Sequence, residues 1–549
     1  MPVCLRTHSC VMLLIGSLVG GMSGVDCLNA ADVRTVALTR HQAAGTRDVW
    51  DDFYHFTIND WGQTAFGGKL TGNAVTEITD NGIWLEDYGN QLLIARGGQS
   101  AWGADDDAVF RTLTSPQINS LGTVVFKSSL EGENISSFLN GSAVFRYGED
   151  YGPQMLFRTG QAWGDGTLDI NNFSSLRTNE SGEYALKMEL NKLGQPLDGF
   201  VVVKGDGQTV KTIAEKGSFA GGVGNGVVYE DSFFAPKLND NGDVSFMAHI
   251  EGDGVIQWND IGVWMSQNDI HVLQMRERMS APGTGQVLES ISIPSINDAR
   301  EIVFKGDLVP LLGHDYDPLT DAGLWGGHKD DLQLIARRGD AAVGLEGWNF
   351  GRFLNTSINH DGTIMFTAQL ANDVESLEET KGVWQHKDGV TSLIAGTGSV
   401  IEGLDDGEFV RYVFEDSING LGQIVFSASI AGAGVTEEDN VGLWITGLDG
   451  ALDLIIREGD LFDVDDDPIA EDLRVISDIA MDGWSGGEEG HAKSLNDWGE
   501  LAVRLNFTDG SEGLFVFNTI AAIPEPGSVA LLGAGLVGML ARKRKCGLG

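Results

Sequence analysis

The chain has 549 residues, 42% of them hydrophobic, a composition that excludes a disordered protein and exceeds what one small core needs. Its formal net charge is −43, from 79 acidic residues against 36 Lys and Arg, so the surface should repel nucleic acid and anionic lipid and suit cations, basic surfaces or a salty exterior. Glycine is abundant at 75, and the four cysteines, Cys4, Cys10, Cys27 and Cys546, leave the body of the chain without a disulfide or a thiolate metal site.

Residues 1–30 read as a signal peptide. Arg6 and His8 precede an apolar run from Val11 to Gly21, and cleavage is expected after Ala30. The residues before Cys27 (Gly24, Val25 and Asp26) do not form the small-apolar pattern that precedes a lipidated cysteine.

One motif recurs through residues 31–520. It opens on Asn59, Asn119, Asn179, Asn239, Asn297, Asn359, Asn419 and Asn496, in steps of 60, 60, 60, 58, 62, 60 and 77 residues. Gly follows three places later as Gly62, Gly122, Gly182, Gly242, Gly362, Gly422 and Gly499, while the fifth copy has Arg300. Seven places after the Asn stand Phe66, Phe126, Leu186, Phe246, Phe304, Phe366, Phe426 and Val503. Asn at the first position of a type I turn accepts a nearby backbone N–H, and Gly at the fourth admits positive φ; between two apolar alternations this is a hairpin. The asparagines are therefore expected to be turn residues rather than ligands. A second strand carries Gly-x-Trp, ending in Trp84, Trp264, Trp325, Trp384 and Trp444, and a third reads LLIAR or its like. A glycine-rich loop and a fourth strand lead to the next Asn.

About four short antiparallel strands in each of eight units predict an all-β fold, a β-propeller of eight four-stranded blades with the Trp and Phe rows packed between neighbours. The first segment begins with the third-strand element, and the final unit stops without one. Residues 35–40 are therefore expected to complete the last blade beside 514–518 as a non-covalent clasp. Two four-bladed rings or an open solenoid are the alternatives. The last unit carries an insertion of about 17 residues before Asn496, the excess of its 77-residue step over 60. The repeat resembles the bacterial Asn-x-x-Gly-x-x-x-Phe tandem-repeat surface proteins, which implies a surface-associated domain with no assigned chemistry.

In residues 521–549, Pro524, Glu525 and Pro526 precede a short apolar stretch closed by Arg542, Lys543, Arg544 and Lys545. This is a hydrophobic anchor with a basic stop. It resembles the PEP-CTERM sorting signal. That resemblance implies an exosortase-type processing enzyme as partner, a membrane segment before processing, and delivery to the cell surface or extracellular matrix, often alongside exopolysaccharide.

Candidate chemistry is sparse. Asp463, Asp465 and Asp467 alternate in LFDVDDDPIAED, so an extended chain would turn their carboxylates to one side as a weak calcium site, although the Gly and distal Glu of an EF-hand loop are missing. Arg96, Arg337 and Arg457 recur in the third strand, the latter two followed by Asp340 and Asp460 as candidate partners. No HExxH, Walker, Rossmann or GxSxG motif occurs, no catalytic residue or other cofactor is nominated, and Glu189, His249, Asp307 and Glu500 near strand ends form no pattern. The expectation is therefore an exported surface or matrix protein that binds or scaffolds polysaccharide or envelope components, leaning against an enzyme. The alternatives are an exported carbohydrate-active hydrolase or lyase with a central-channel site, and a calcium-stabilised adhesin. A channel holding non-repeating carboxylates would favour the hydrolase or lyase, and an undifferentiated one the scaffold.

Overall fold

The computed structural model describes residues 33–520 except 105–106, 193–196, 269, 310–320, 373–375, 466–471 and 484–488. The signal peptide, the sorting segment from Pro524 to Lys545, and Asp467 lie outside the described residues.

Eight antiparallel sheets follow one another around a ring, each running outward from the axis as strands A to D. Blade 1 is typical: A is Val49–Ile58, B Thr64–Thr71, C Asn81–Asp87 and D Asn90–Arg96. The sheets hold four to six strands, because short pieces such as Ala162–Trp163, Ser280–Ala281 and Leu461–Asp463 pair with the A strands of blades 3, 5 and 8. The motif Asn therefore sits in the A–B turn, inside a blade.

The ring closes through the predicted clasp. Val33–Leu38 supplies strand D of blade 8, antiparallel to Glu512–Asn518, with Val33 opposite Phe517 and Leu38 opposite Gly513. Burial of Val36, Ala37 and Leu38 at 3% exposure or less makes this strand part of the core.

The Gly-x-Trp signature has a packing cause. Each tryptophan folds back over the glycine two residues before it: a Cβ on Gly82, Gly262, Gly323, Gly382 or Gly442 would lie 2.5 to 2.6 Å from the ring. The ring lies nearly parallel to the motif phenylalanine on strand B, with centroids 5.6 Å apart for Phe366–Trp384 and 6.2 Å for Phe66–Trp84. Its indole N–H donates to a carbonyl in the loop entering the same blade, as from Trp84 to Ala44 at 2.9 Å. The tryptophans are fully buried and serve as core.

The A–B turns do more than reverse the chain. Asn59 Oδ1 accepts the N–H groups of Trp61 (3.1 Å) and Gln63 (2.9 Å), and Gly62 N–H returns to the Asn59 carbonyl (3.0 Å). The Nδ2, which also reaches Gln63 Oε1 at 2.9 Å, donates its other hydrogen to the backbone carbonyl of the next motif Asn. This bond runs from Asn59 to Asn119 at 2.8 Å, onward through Asn179, Asn239, Asn297, Asn359, Asn419 and Asn496, and from Asn496 back to Asn59 at 2.9 Å. Eight buried hydrogen bonds thus form one closed belt, which fixes a single eight-bladed ring rather than two smaller ones.

Asn359 and Asn419 show why a turn role alone is an incomplete account. Each is buried, and each Oδ1 does cap its own turn, accepting the N–H of Thr363 (2.8 Å) and of Gln423 (2.9 Å). The other end of each amide leaves the turn: Asn359 Nδ2 reaches the Asn419 carbonyl at 3.1 Å, and Asn419 Nδ2 the Asn496 carbonyl at 3.0 Å. Burial favours this second bond, since both amide hydrogens need acceptors away from water and the turn serves at most one, as where Asn419 Nδ2 also reaches Gln423 Oε1 at 3.0 Å. The asparagines that the sequence marks as turn formers are therefore also the joints between blades. Arg300, replacing the fifth glycine, keeps φ at 66° and grips Asp243 of the neighbouring blade at 2.7 and 3.3 Å, which offsets the strain of that conformation.

The third-strand arginines reach across the sheet. Arg96 pairs with Asp48 (2.7 Å), Arg337 donates to Gln286 (2.5 Å), and Arg457 makes a two-pronged contact with Glu408 (2.9 and 3.0 Å). Asp460, expected to hold the Arg457 guanidinium, instead accepts the main-chain N–H of Arg457 at 2.8 Å and caps a turn.

Candidate functional site in the plugged central channel

The insertion of the last unit leaves strand A of blade 8 (Leu473–Ala480) and turns into the channel. Its residues 489–493 bond to inner strands of other blades, one residue below the Asn belt. Leu238 N–H donates to the Glu489 carbonyl (3.1 Å), Thr178 N–H to that of Gly490 (3.3 Å) and Ile58 N–H to that of Lys493 (3.0 Å). Blades 4, 3 and 1 thus hold a segment from blade 8, and the channel is plugged. Gly490 is needed because its φ is +70° and a Cβ would stand 3.0 to 3.1 Å from the Leu238 and Thr178 carbonyls and the Arg177 Cβ.

Above the plug, five of the eight residues following the motif Asn are acidic: Asp60, Glu180, Asp240, Asp298 and Asp497. Their carboxylates cap backbone N–H groups of the adjacent blade: Glu180 N–H donates to Asp240 (2.7 Å), Asp240 N–H to Asp298 (2.8 Å) and Asp497 N–H to Asp60 (3.1 Å). Lys493 rises from the plug as their cation, 2.7 Å from Asp60 and 3.3 Å from Glu180. Burial opposes its charge, but Glu180, Asp60 and Asp497 together hold its pKa above the ordinary lysine value. Burial, with Asp298 nearby, pushes the Asp240 carboxyl up to about 7 against the pull of the Glu180 N–H.

Below the plug lies a cavity of about 660 Å³, within the range of small-molecule sites. Its walls come from residues two to five places before the motif Asn of blades 1 to 6 and 8, with Lys305 from the next strand of blade 5, and its lining is not repeated. Cationic groups come from Arg177, Lys237 and Lys305, histidines from His55 and His491, and carboxylates from Asp482 and Glu489 of the inserted segment. On a chain of −43, this cavity sets three cationic groups against two carboxylates.

The internal bonds of this cluster leave specific atoms free. Lys237 Nζ lies 3.1 Å from Glu489 Oε1 and 2.6 Å from His491 Nε2. Burial, and then Lys237 and Arg177, push the His491 pKa well below the usual histidine range, so it is neutral and accepts the lysine proton. Burial also brings Arg177 down to about 10, with Glu489 opposing. His55 behaves oppositely: its hydrogen bond to Asp482, at 3.4 Å, raises its pKa. Three buried polar atoms of the lining have no partner among the described residues: Gln117 Oε1, Arg177 Nε and Glu489 Oε2. Buried polar groups are nearly always satisfied, so each needs an account.

Sequence reading nominated none of these residues. The lengthened step before Asn496 was the one visible signal, and it marks the insertion without its path. Of the calcium candidates, Asp463 Oδ1 accepts the N–H groups of Asp472 (3.1 Å) and Asp465 (3.5 Å), a turn-capping role in an outer loop. A different group can hold a metal ion. Glu230, His249 and Asp260 on blade 4 bring one ligand atom each within 4.8 Å of one another, with His249 Nδ1 3.1 Å from Asp260 Oδ2.

Two sequence families match the chain. A family of unknown function (DUF7453) matches residues 21–143 and 137–530, and the PEP-CTERM protein-sorting motif matches residues 522–545. No curated protein matches. Among solved structures, the β-propeller domain of the Trilobed protease from Pyrococcus furiosus is 12% identical, with a TM-score of 0.38 over 74% of this chain and 100% of that one. A Pyrococcus horikoshii acylaminoacyl peptidase is 9% identical, at 0.38 over 83% and 57%. An oligogalacturonate lyase in complex with manganese is 9% identical, at 0.32 over 90% and 98%. These likenesses show the fold alone. The leaning against an enzyme rested on the repetitive architecture, and it does not stand, because the channel lining is not repeated and carries the carboxylates Asp482 and Glu489.

Proposed function

Since the chain belongs to this family of unknown function and ends in a surface-sorting signal, we propose that it is an exported carbohydrate-active enzyme that works on an acidic polysaccharide. The active site is the cavity below the plug. The observation that carries the reading is the unrepeated charged lining: Arg177, Lys237 and Lys305 ask for an anion, and the carboxylates Asp482 and Glu489 ask for donors. A sugar that bears a carboxylate and hydroxyl groups supplies both, and the surrounding cations favour its charge.

The chemistry that fits is β-elimination at a uronic acid residue. Arg177 and Lys237 neutralise the sugar carboxylate and acidify the adjacent C5–H. Glu489 takes that proton, the C–H electron pair forms the C4–C5 double bond, and the C4–O bond breaks. The departing oxygen takes a proton from His55, whose charged form the hydrogen bond to Asp482 favours. Hydrolysis, with Asp482 and Glu489 as the carboxylate pair, is the second reading, favoured by two carboxylates that no other unit carries at those positions.

Incubation of the protein with uronate-containing polysaccharides separates the two. Elimination yields products with the ultraviolet absorbance of an unsaturated uronate, whereas hydrolysis yields new reducing ends without it. Neither product, together with no binding of acidic oligosaccharide, refutes the site. Calcium belongs to the same proposal as a structural ligand, at the Glu230–His249–Asp260 group or at Asp463 and Asp465 beside Asp467. The Asn-x-x-Gly-x-x-x-Phe resemblance likewise supports a surface role.

A further inference from the structure

The eight A–B turns are copies of one another, so a position where they differ by side of the ring is informative. Two residues after the motif Asn, blades 3 to 6 carry Ser181, Asn241, Ala299 and Asp361. Blades 7, 8, 1 and 2, which are consecutive around the ring, carry Leu421, Trp498, Trp61 and Leu121. These four are exposed at 47%, 66%, 66% and 65%. The turn does not require them: Trp61 and Trp498 contribute only their main-chain N–H groups to the Asn side chains. The neighbouring C–D turns repeat the bias, with exposed Tyr88 and Tyr151 on blades 1 and 2 against Asn268 and Asp388 on blades 4 and 6. On the polar half, exposed aliphatics occur singly at the outer rim, as Val210, Ile270 and Val390.

A second observation says what covers this half. The body of the chain leaves the propeller on the same face. Thr519 N–H donates to the Gly499 carbonyl at 2.9 Å, and Ile520 packs so closely over Gly499 that a Cβ there would collide with it. Gly499 adjoins Trp498, so the exit point lies within the apolar half-ring. Six residues, 521–526, separate it from the apolar stretch of the sorting segment. Fully extended, six residues reach about 20 Å. While that stretch is in the bilayer, this face is held within that distance of the lipid surface. Tryptophan, tyrosine and leucine are the side chains that settle at a lipid headgroup boundary.

We propose that Leu421, Trp498, Trp61 and Leu121 form a membrane-resting surface that docks the turn face on the bilayer until the tail is processed. The occupant is the headgroup boundary of a zwitterionic bilayer. The net charge of −43 and the carboxylates of the turn face disfavour an anionic one. The plug lies just behind this face and the cavity beyond the plug, so docking leaves the cavity on the side away from the membrane.

Tryptophan quenching tests this on the full chain in phosphatidylcholine vesicles with brominated acyl chains. The tail and the signal peptide contain no tryptophan, so all fluorescence comes from the propeller. The wild type should be quenched, and the exposed-site double variant W61S/W498S should lose at least half of that quenching. Trp258 is 53% exposed in a B–C turn on the opposite face, and W258S should leave quenching unchanged. Replacing a third of the lipid with an anionic one should reduce the signal. Quenching that is equal in W61S/W498S and wild type overturns the proposal, as does an equal loss in W258S. So does a tail-independent dimer in detergent that W61S/W498S abolishes, which would assign the surface to a second copy of the chain.

Discussion

Replacing one asparagine of the belt tests the joint between blades directly. Asn239 is fully buried. Its Nδ2 donates to the Asn297 carbonyl at 3.1 Å, and its Oδ1 accepts the Asp243 N–H at 2.8 Å. In N239A both bonds are lost, but the Asn297 carbonyl still accepts the Arg300 N–H at 3.1 Å, so only the Asp243 N–H is orphaned. Net hydrogen-bond values near 1 kcal/mol each, plus the cost of one unsatisfied buried donor, give a destabilisation of about 3 to 5 kcal/mol. N239D keeps the acceptor but turns a carboxylate toward a carbonyl, beside Asp240, Asp243 and Asp298. Its loss at pH 7.5 should exceed that of N239A. The introduced carboxyl has a folded pKa above its unfolded value near 3.9, so it binds more protons folded than unfolded. Stability relative to wild type is then retained below the unfolded value and lost as pH rises through the folded one. Urea unfolding followed by circular dichroism at pH 5 and pH 7.5, each variant against wild type at the same pH, reads both effects. An unchanged midpoint for N239A, or a displacement for N239D equal at both pH values, would refute the belt.

Three further outcomes follow from other parts of the molecule. K493M leaves Asp60, Glu180 and Asp497 without their buried cation, and should cost about 3 to 5 kcal/mol at neutral pH, part of it regained on acidification as the carboxylates protonate. L38A hollows the clasp and should cost about 2 to 5 kcal/mol, with hydrogen exchange rising first in residues 513–517 of the paired strand. Thermal unfolding with manganese, zinc or calcium against chelator checks the Glu230–His249–Asp260 group: a metal-dependent rise that H249A abolishes assigns it, and a rise that H249A leaves intact places the ion elsewhere on the acidic surface.

The fold was legible because each unit repeats its local chemistry. Asn59 and Gly62 announce a turn by residue type alone, the Gly-x-Trp pairs announce a close packing, and the mismatched ends announce the clasp. The Asn belt was not legible. A side chain such as Asn359 or Asn419, which satisfies its own turn, gives no sign that a further bond remains free for the next blade. The site was hidden for the converse reason. Arg177 and Lys237 hold the same place in successive units, two residues before Asn179 and Asn239, but the residue type there does not repeat, and His491, 254 residues beyond Lys237, joins them only after the ring closes. The insertion before Asn496 was visible as length, but its course across the axis is a matter of backbone bonds to blades 1, 3 and 4. The Arg457 partner was misjudged because sequence proximity favours Asp460, whereas antiparallel packing brings Glu408 alongside.

The central claim is that the plugged cavity recognises a carboxylated sugar through Arg177. Calorimetric titration with a uronic acid oligosaccharide, and with the same oligosaccharide after reduction of its carboxyl groups, tests it on the wild type and on R177Q. The acidic form should bind the wild type, with at least a tenfold loss both on carboxyl reduction and in R177Q. Equal binding of both sugars, or undiminished binding by R177Q, would contradict it.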